Sequence, residues 1–448
     1  MNKNSNVREA ALDALLKIEK NQAYSNLLLN DIINKKSLSA IDVPLFTQIV
    51  YGTIQQKKKL DFILESYSKK PLEKLESWVV TLLRLSLFQL MFLDRVPDHA
   101  VLNEAVNIAK KRGHKGIAGL VNGMLRTYLR EGSPSFEAIK DPVKRLAVET
   151  SHPEWMIARW TKHYGREQAA AIAEANNEAP VTSVRINEIS AKKSSVIKEL
   201  EAEGLSVEES PLLSNALRVR NGSAAATAAF REGRISIQDE GSMLVGMAVS
   251  PQKGETILDS CAAPGGKTTH IAELLNNTGT VYSMDLHDHK VKLISEQVQR
   301  LHLNNVITQT GDARKVEDLP LFDRILIDAP CSGLGVIQRK PDMKWSKKEE
   351  DITRLVQIQA DIMDHIWKFL KPGGELIYST CTIDYEENDS QINRFLEAHK
   401  DAAPNLKLME KFPANLVEHF DSKNTLQLLP GKYGTDGFFI ASLLKTSE

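Results

Sequence analysis

The sequence predicts a multidomain protein: an all-α front, a small α+β unit, and an α/β domain built on a parallel sheet. Three observations lead there. Over residues 1–130 apolar residues recur at helical spacing, as in VREAALDALLKIE and VLNEAVNIAKK, with almost no β-branched alternation. From residue 181 the pattern changes to short alternating runs with helix-like segments between them. Beyond residue 250, strand-like and helix-like segments succeed one another repeatedly. A chain of 448 residues with 42% hydrophobic content has material for two or three cores.

Taken in order, VNGMLRTYLR (121–130) closes the helical front, and EGSPSFEAIKDP (131–142) has the Gly, Pro and Ser content of a linker, placing a boundary near residue 140. The helical stretch PEWMIARWTKHYG follows. VTSVRIN, SSVIKELEAEG, LSVEES, ALRVRN, AATAAF and RISIQ then read β-α-β-β-α-β, the order of a ferredoxin-like unit. After the helix-like QDEGSMLVGMAVS (238–250), strands are expected at ETILD (255–259), TVYSMD (280–285), VITQT (306–310), DRILID (323–328) and ELIYST (375–380). Helices such as KTTHIAELLNN and IQADIMDHIWKFLKPGG between them call for a parallel sheet covered on both faces. TLQLLP (425–430) and GFFIASLL (437–444), joined by a Gly-rich turn, predict a closing antiparallel hairpin.

Composition excludes several classes. Three cysteines make no disulfide framework, and no Cys/His spacing suits zinc, so a cytoplasmic protein in a reducing compartment, without a metal, is expected. The opening MNKNSNVREAALD lacks an apolar export core. The longest apolar run, WVVTLLRLSLFQLMFL (78–93), is broken by Arg84 and reads as a buried helix rather than a membrane span. The net charge of −1 is unevenly spread: residues 1–150 carry 23 Lys and Arg against 16 Asp and Glu, the remainder 34 against 42. A basic front is suited to a polyanion.

Ligands of open α/β sheets sit beyond the carboxyl ends of the strands. Asp259, Asp285 and Asp328 end expected strands there, and Asp312 and Cys381 follow two others. In DSCAAPGGKTTH (259–270), Gly265 and Gly266 open the backbone to a ligand. A phosphate-binding P-loop would need Gly where Cys261 stands, and G-x-G-x-x-G is absent. Asp285, nineteen residues after Gly266, is placed to accept from ribose hydroxyls, and Asp312 from an adenine amino group, which favours a nucleoside-containing cofactor.

Two thiols stand on this rim, Cys331 in DAPCSG and Cys381 in STCT. A nucleophilic thiol needs access and a pKa below its free value of roughly 8.5. One reaction suited to two thiols, a nucleoside cofactor and no metal is methylation of a pyrimidine at carbon 5: one sulfur adds to carbon 6, and a second group helps remove the carbon-5 proton. Residue chemistry by itself does not choose which cysteine does which. It also leaves open a nucleotide-hydrolysing RNA-binding protein, from GGKTT, and a non-catalytic RNA adaptor built on the front.

CAAPGGKT, DAPCSGLG, STCT and LLPGKYGTDGFFIA resemble the RNA cytosine-5 methyltransferases that use S-adenosylmethionine. PDHAVLNEAVNIAKKRG and VNGMLR resemble a NusB-type RNA-binding domain, so that the resemblance spans essentially the whole chain. It implies a NusB-like all-α domain (1–140), a linker helix with a ferredoxin-like domain (145–236), and a Rossmann-like class I methyltransferase domain (237–448). By motif it implies Cys381 as nucleophile, Cys331 in product release, and a cofactor site of Cys261, Ala262, Ala263, Pro264, Gly265, Gly266 and Lys267 with Asp285, Asp312 and Asp328. Asp328 would also face the cytosine, steered by Lys267. The implied substrate is 16S ribosomal RNA or a small-subunit precursor, methylated by a monomeric enzyme. Arg339, Lys340 and Lys344, just past the Pro-Cys loop, are expected to grip phosphates near a flipped base.

Overall fold

A computed structural model describes residues 6–21, 25–39 and 41–446, which fall into two compact units. The first comprises the chain up to Glu178 together with Ile337–Lys347; the second holds Ala179–Val336 and Lys348–Glu448. No helix among the described residues is long and apolar enough to cross a membrane.

The first unit is helical. Its central helix, Ser77–Phe92, is apolar nearly all round and accordingly buried, with Val79, Leu82, Leu83, Leu85 and Leu87 in the core. Arg84, the charge that interrupts this run, is paired with Asp61 (2.6 Å) and Glu19 (2.7 Å). The inserted segment adds the short helix Met343–Ser346. Here the structure corrects an expectation: Lys344 is fully buried and donates to the carbonyls of Gln55 and Ser151 (both 3.1 Å) and to Asn177 Oδ1 (2.8 Å). A side chain sealed by three oxygens does not grip a phosphate. Trp345 Nε1 beside it donates to the Ile54 carbonyl (2.7 Å).

The second unit contains two sheets. Strands β1 (Thr182–Ile186), β2 (Val207–Glu209), β3 (Ala216–Val219) and β4 (Ile235–Ile237) form an antiparallel sheet in the order β2-β3-β1-β4, as a ferredoxin-like unit requires. The larger sheet is built from β5 (Thr256–Asp259), β6 (Thr280–Asp285), β7 (Val306–Thr310), β8 (Phe322–Asp328), β9 (Leu370–Thr380), β10 (Ala402–Pro404), β11 (Leu426–Leu428) and β12 (Phe438–Lys445). Its order is β10-β12-β9-β8-β5-β6-β7, with β11 paired to β12 alone. β5 through β9 run parallel, and β12 enters antiparallel beside β9.

One detail departs from the sequence reading. The helix expected to run through KPGG ends at Ile366, and β9 begins at Leu370, because Pro372 has no N–H to continue a helix and Gly373 takes φ +77°. The tail hairpin closes the sheet as expected: β12 runs antiparallel beside β9, and β11 and the short β10 share its outer side. From β5 the chain winds outward through β6 and β7, then returns to β8 on β5's other side. At such a reversal, open sheets of this kind carry the crevice in which ligands bind, here beyond the ends of β5 and β8.

Candidate active site

The loop after β5 is tethered to both neighbouring strands. Ser260 N–H donates to the Leu326 carbonyl (3.0 Å) and Ala262 N–H to that of Met284 (2.9 Å). Gly265, at φ 102°, precedes the helix Gly266–Leu274; a Cβ there would lie 3.1 Å from Ile294 Cα. Asp285 at the end of β6 accepts from the backbone N–H groups of Ala263 (3.3 Å) and His287 (3.2 Å). Asp312 is held by a two-pronged contact from Arg314, 2.9 Å at Nε and 2.8 Å at the terminal nitrogen, which lowers its pKa to about 2. Cys261, within this loop, is half-buried, and burial raises its pKa well above the ordinary thiol value.

Asp259 corrects the sequence reading. Although it ends β5, its carboxyl turns into the protein, fully buried, accepting from Thr268 Oγ1 (2.7 Å), and burial raises its pKa to about 7. It does not line the rim with the others.

Across the crevice, Asp328 ends β8 and takes two donors, Lys267 Nζ (2.7 Å) and Ser379 Oγ (3.0 Å). Burial works to discharge Lys267, but the charges of Asp328 and then Cys381 prevail and raise its pKa. The ammonium also stands over the Phe438 ring, 5.3 Å from its centroid. Cys331 and Cys381, carried by the loops after β8 and β9, meet with their sulfurs 3.4 Å apart. The contact with Cys381, then burial, raises the pKa of Cys331 well above the ordinary thiol value, so Cys331 keeps its proton at neutral pH.

Close backbone approach holds these loops together. Gly335 N–H donates to the Cys381 carbonyl (3.0 Å), and Gly437 N–H to that of Gly335 (2.8 Å). A Cβ on Gly335 would lie 2.2 Å from the Gly437 oxygen, which explains the glycines of GLG and TDGFF. The structure thus brings Lys267, Asp328, Cys331 and Cys381 into one cluster, with Asp285 at the end of β6 and Asp312 just past β7. Lys340 is exposed.

The sequence reading missed the support beneath the thiols. Glu387, fully enclosed, accepts from Ser332 N–H (2.8 Å), the Ser332 hydroxyl and Gln359 Nε2 (2.9 Å). Asn388 donates to the Thr382 carbonyl (3.1 Å) and accepts from Thr380 Oγ1 (2.6 Å). The available signal was weak: acids six residues past a Thr-Cys pair look like any solvated loop.

Family models match three successive stretches: the NusB family over residues 5–130, the RsmF/B-like ferredoxin-like domain over 152–225, and the 16S rRNA methyltransferase RsmB/F over 246–444. The chain is 50% identical over 446 residues to the probable ribosomal RNA small subunit methyltransferase B of Bacillus subtilis strain 168, covering 99% of each. Its counterpart from Synechocystis is 33% identical, over 98% of this chain and 99% of the other. Among solved structures, that of PH0851 superposes with TM-score 0.81 at 27% identity over 98% of both chains. A methyltransferase homolog protein from Pyrococcus horikoshii gives TM-score 0.58 at 28% identity, over 68% of this chain and 100% of that one. Identity at this level over the full length of the curated relatives, on a fold of the same architecture, shows that the chain belongs to the ribosomal RNA small subunit methyltransferase B family of S-adenosylmethionine-dependent enzymes.

Proposed function

We propose that the enzyme methylates carbon 5 of a cytosine in 16S ribosomal RNA, with Cys381 adding to carbon 6 and Cys331 assisting release. The observation that carries this reading is the pair of sulfurs 3.4 Å apart beside the Lys267–Asp328 ion pair. The relatives' printed names, ribosomal RNA small subunit methyltransferase B, support the substrate class.

The first half of the crevice fits the methyl donor. Glycines clear the backbone at 265 and 266, and Asp285 and Asp312 present carboxylates suited to ribose hydroxyls and an exocyclic amine. The space is bounded, since a Cβ on Gly311 would meet Met284 Sδ at 2.6 Å. When bound, S-adenosylmethionine supplies an electrophilic methyl group on its sulfonium.

The second half supplies the activation. Lys267 favours an anionic sulfur at Cys381 by Coulomb attraction, and the Cys331 thiol donates to it. Addition to carbon 6 breaks the carbon 5–carbon 6 double bond and makes carbon 5 nucleophilic. Asp328, which accepts from Lys267 and Ser379, would hydrogen-bond the ring nitrogen and exocyclic amine of the adduct. Once Cys381 is bonded to carbon, the largest cause of Cys331's raised pKa is gone. With carbon 5 methylated, Cys331 gives its proton to water more readily and its thiolate takes the carbon-5 proton; that C–H electron pair restores the double bond and the carbon–sulfur bond to Cys381 breaks.

The test separates the two thiols. Cys381→Ala should abolish methyl transfer while calorimetry shows S-adenosylmethionine binding retained; turnover in this variant would refute the assignment. Cys331→Ala should leave a covalent RNA–protein band on a denaturing gel. Bisulfite mapping of ribosomal RNA from cells with and without the protein would identify the base.

A further inference from the structure

We propose that Glu387 is a positioning residue for product release: it grips Ser332 directly and Pro330 through Gln359, the two residues flanking Cys331, and so holds that thiol against Cys381. The inference rests on the release role proposed for Cys331.

Three donors converge on the enclosed carboxyl: Ser332 N–H, the Ser332 hydroxyl and Gln359 Nε2. The same Gln359 nitrogen also donates to the Pro330 carbonyl (3.0 Å), so the residues on either side of Cys331 share one anchor. Gln359 is held in turn by Gln391 Nε2 (3.1 Å). Ser332 Oγ lies 2.8 Å from Thr382 Oγ1, next to Cys381, and Tyr378 of β9 donates its hydroxyl to the Glu387 carbonyl (2.7 Å). The anchor therefore ties the loop of one thiol to the loop of the other.

Enclosing a carboxyl group is costly unless its oxygens are satisfied. Apolar packing would hold a loop in place at less cost, but without direction. Donors aimed at both oxygens fix the orientation of Pro330–Ser332 and hence the aim of the Cys331 side chain. Burial, with a contribution from Asp384, raises the carboxyl's pKa to about 7, while the donors from Ser332 and Gln359 oppose that rise. Glu387 acts through Ser332 and Pro330 rather than on the base itself.

The experiment follows the covalent RNA–protein band in single turnover with the full-length enzyme and small-subunit ribosomal RNA, comparing wild type, Cys331→Ala, Glu387→Ala and Glu387→Gln. Displacement of a reacting group by about 1 Å costs on the order of 100-fold, so the Glu387→Ala adduct should decay about 10–100-fold more slowly than wild type while forming at a similar rate. Glu387→Gln, which keeps one acceptor oxygen but turns an N–H toward other donors, should fall between the two. Equal slowing of formation and decay, or decay at the wild-type rate, overturns the inference. If Glu387→Ala fails to bind S-adenosylmethionine, the same criteria apply to Glu387→Gln. A persistent band in Cys331→Ala with normal decay in the Glu387 variants sinks the positioning role alone. No persistent band in Cys331→Ala sinks the release reading and this inference with it.

Discussion

Asp259 and Glu387 are enclosed acids whose pKa values burial raises to about 7. In the unfolded chain such groups ionise near pH 4, so across the interval from about 4 to 7 unfolding releases protons that the folded state retains. Their stabilising contribution is complete below that interval and lost as pH rises through 7. Urea midpoints should therefore fall between pH 5 and pH 8. Asp259→Asn, whose amide oxygen can still accept from Thr268, should show a smaller fall and a higher midpoint at pH 8; an unchanged slope would contradict the assignment. Asp312 has the opposite sign. Its pKa of about 2, set by Arg314, leaves its contribution intact until the solution is far more acidic.

At the scale of elements, the ferredoxin-like sheet braces the helix that follows the glycine loop. Arg185 on β1 is fully buried and pairs with Glu273 on the helix Gly266–Leu274 (3.0 and 2.8 Å), while also donating to the Gly266 carbonyl (3.2 Å). Removing one partner of such a pair typically costs about 3–5 kcal/mol, because the other charge stays buried. Arg185→Met should lower unfolding stability by that order in denaturant titrations and weaken S-adenosylmethionine binding by calorimetry. Arg185→Met with Glu273→Leu should recover most of the stability. This brace was invisible in the sequence: VTSVRIN reads as a strand, but nothing local says that Arg185 turns inward to an acid 88 residues away. The strand and helix succession was legible because its periods are local. Which side of a strand end faces the rim depends on register with neighbours, and there the reading of Asp259 went astray. Glu387 was hidden for a related reason, since its partners Ser332 and Gln359 come from two distant segments.

At the scale of the whole molecule, the chain leaves the second unit just after the Pro-Cys loop, gives Ile337–Lys347 to the helical unit, and returns at Lys348. Lys344 and Trp345 fasten that segment. Lys344→Met removes the donor to three oxygens, each costing about 1–3 kcal/mol when left unsatisfied. Limited proteolysis should then cut within 337–347 at protease levels that leave the wild-type segment whole; equal resistance would show that Trp345 and its neighbours suffice.

That borrowed segment also orders events during synthesis. The helical unit's main stretch is finished at Glu178, yet the residues that complete it emerge only after β5 to β8 and the loops that follow them have been translated. At roughly 5–20 residues per second, the nascent front waits on the order of ten to thirty seconds with the carbonyls of Gln55 and Ser151 still lacking their lysine.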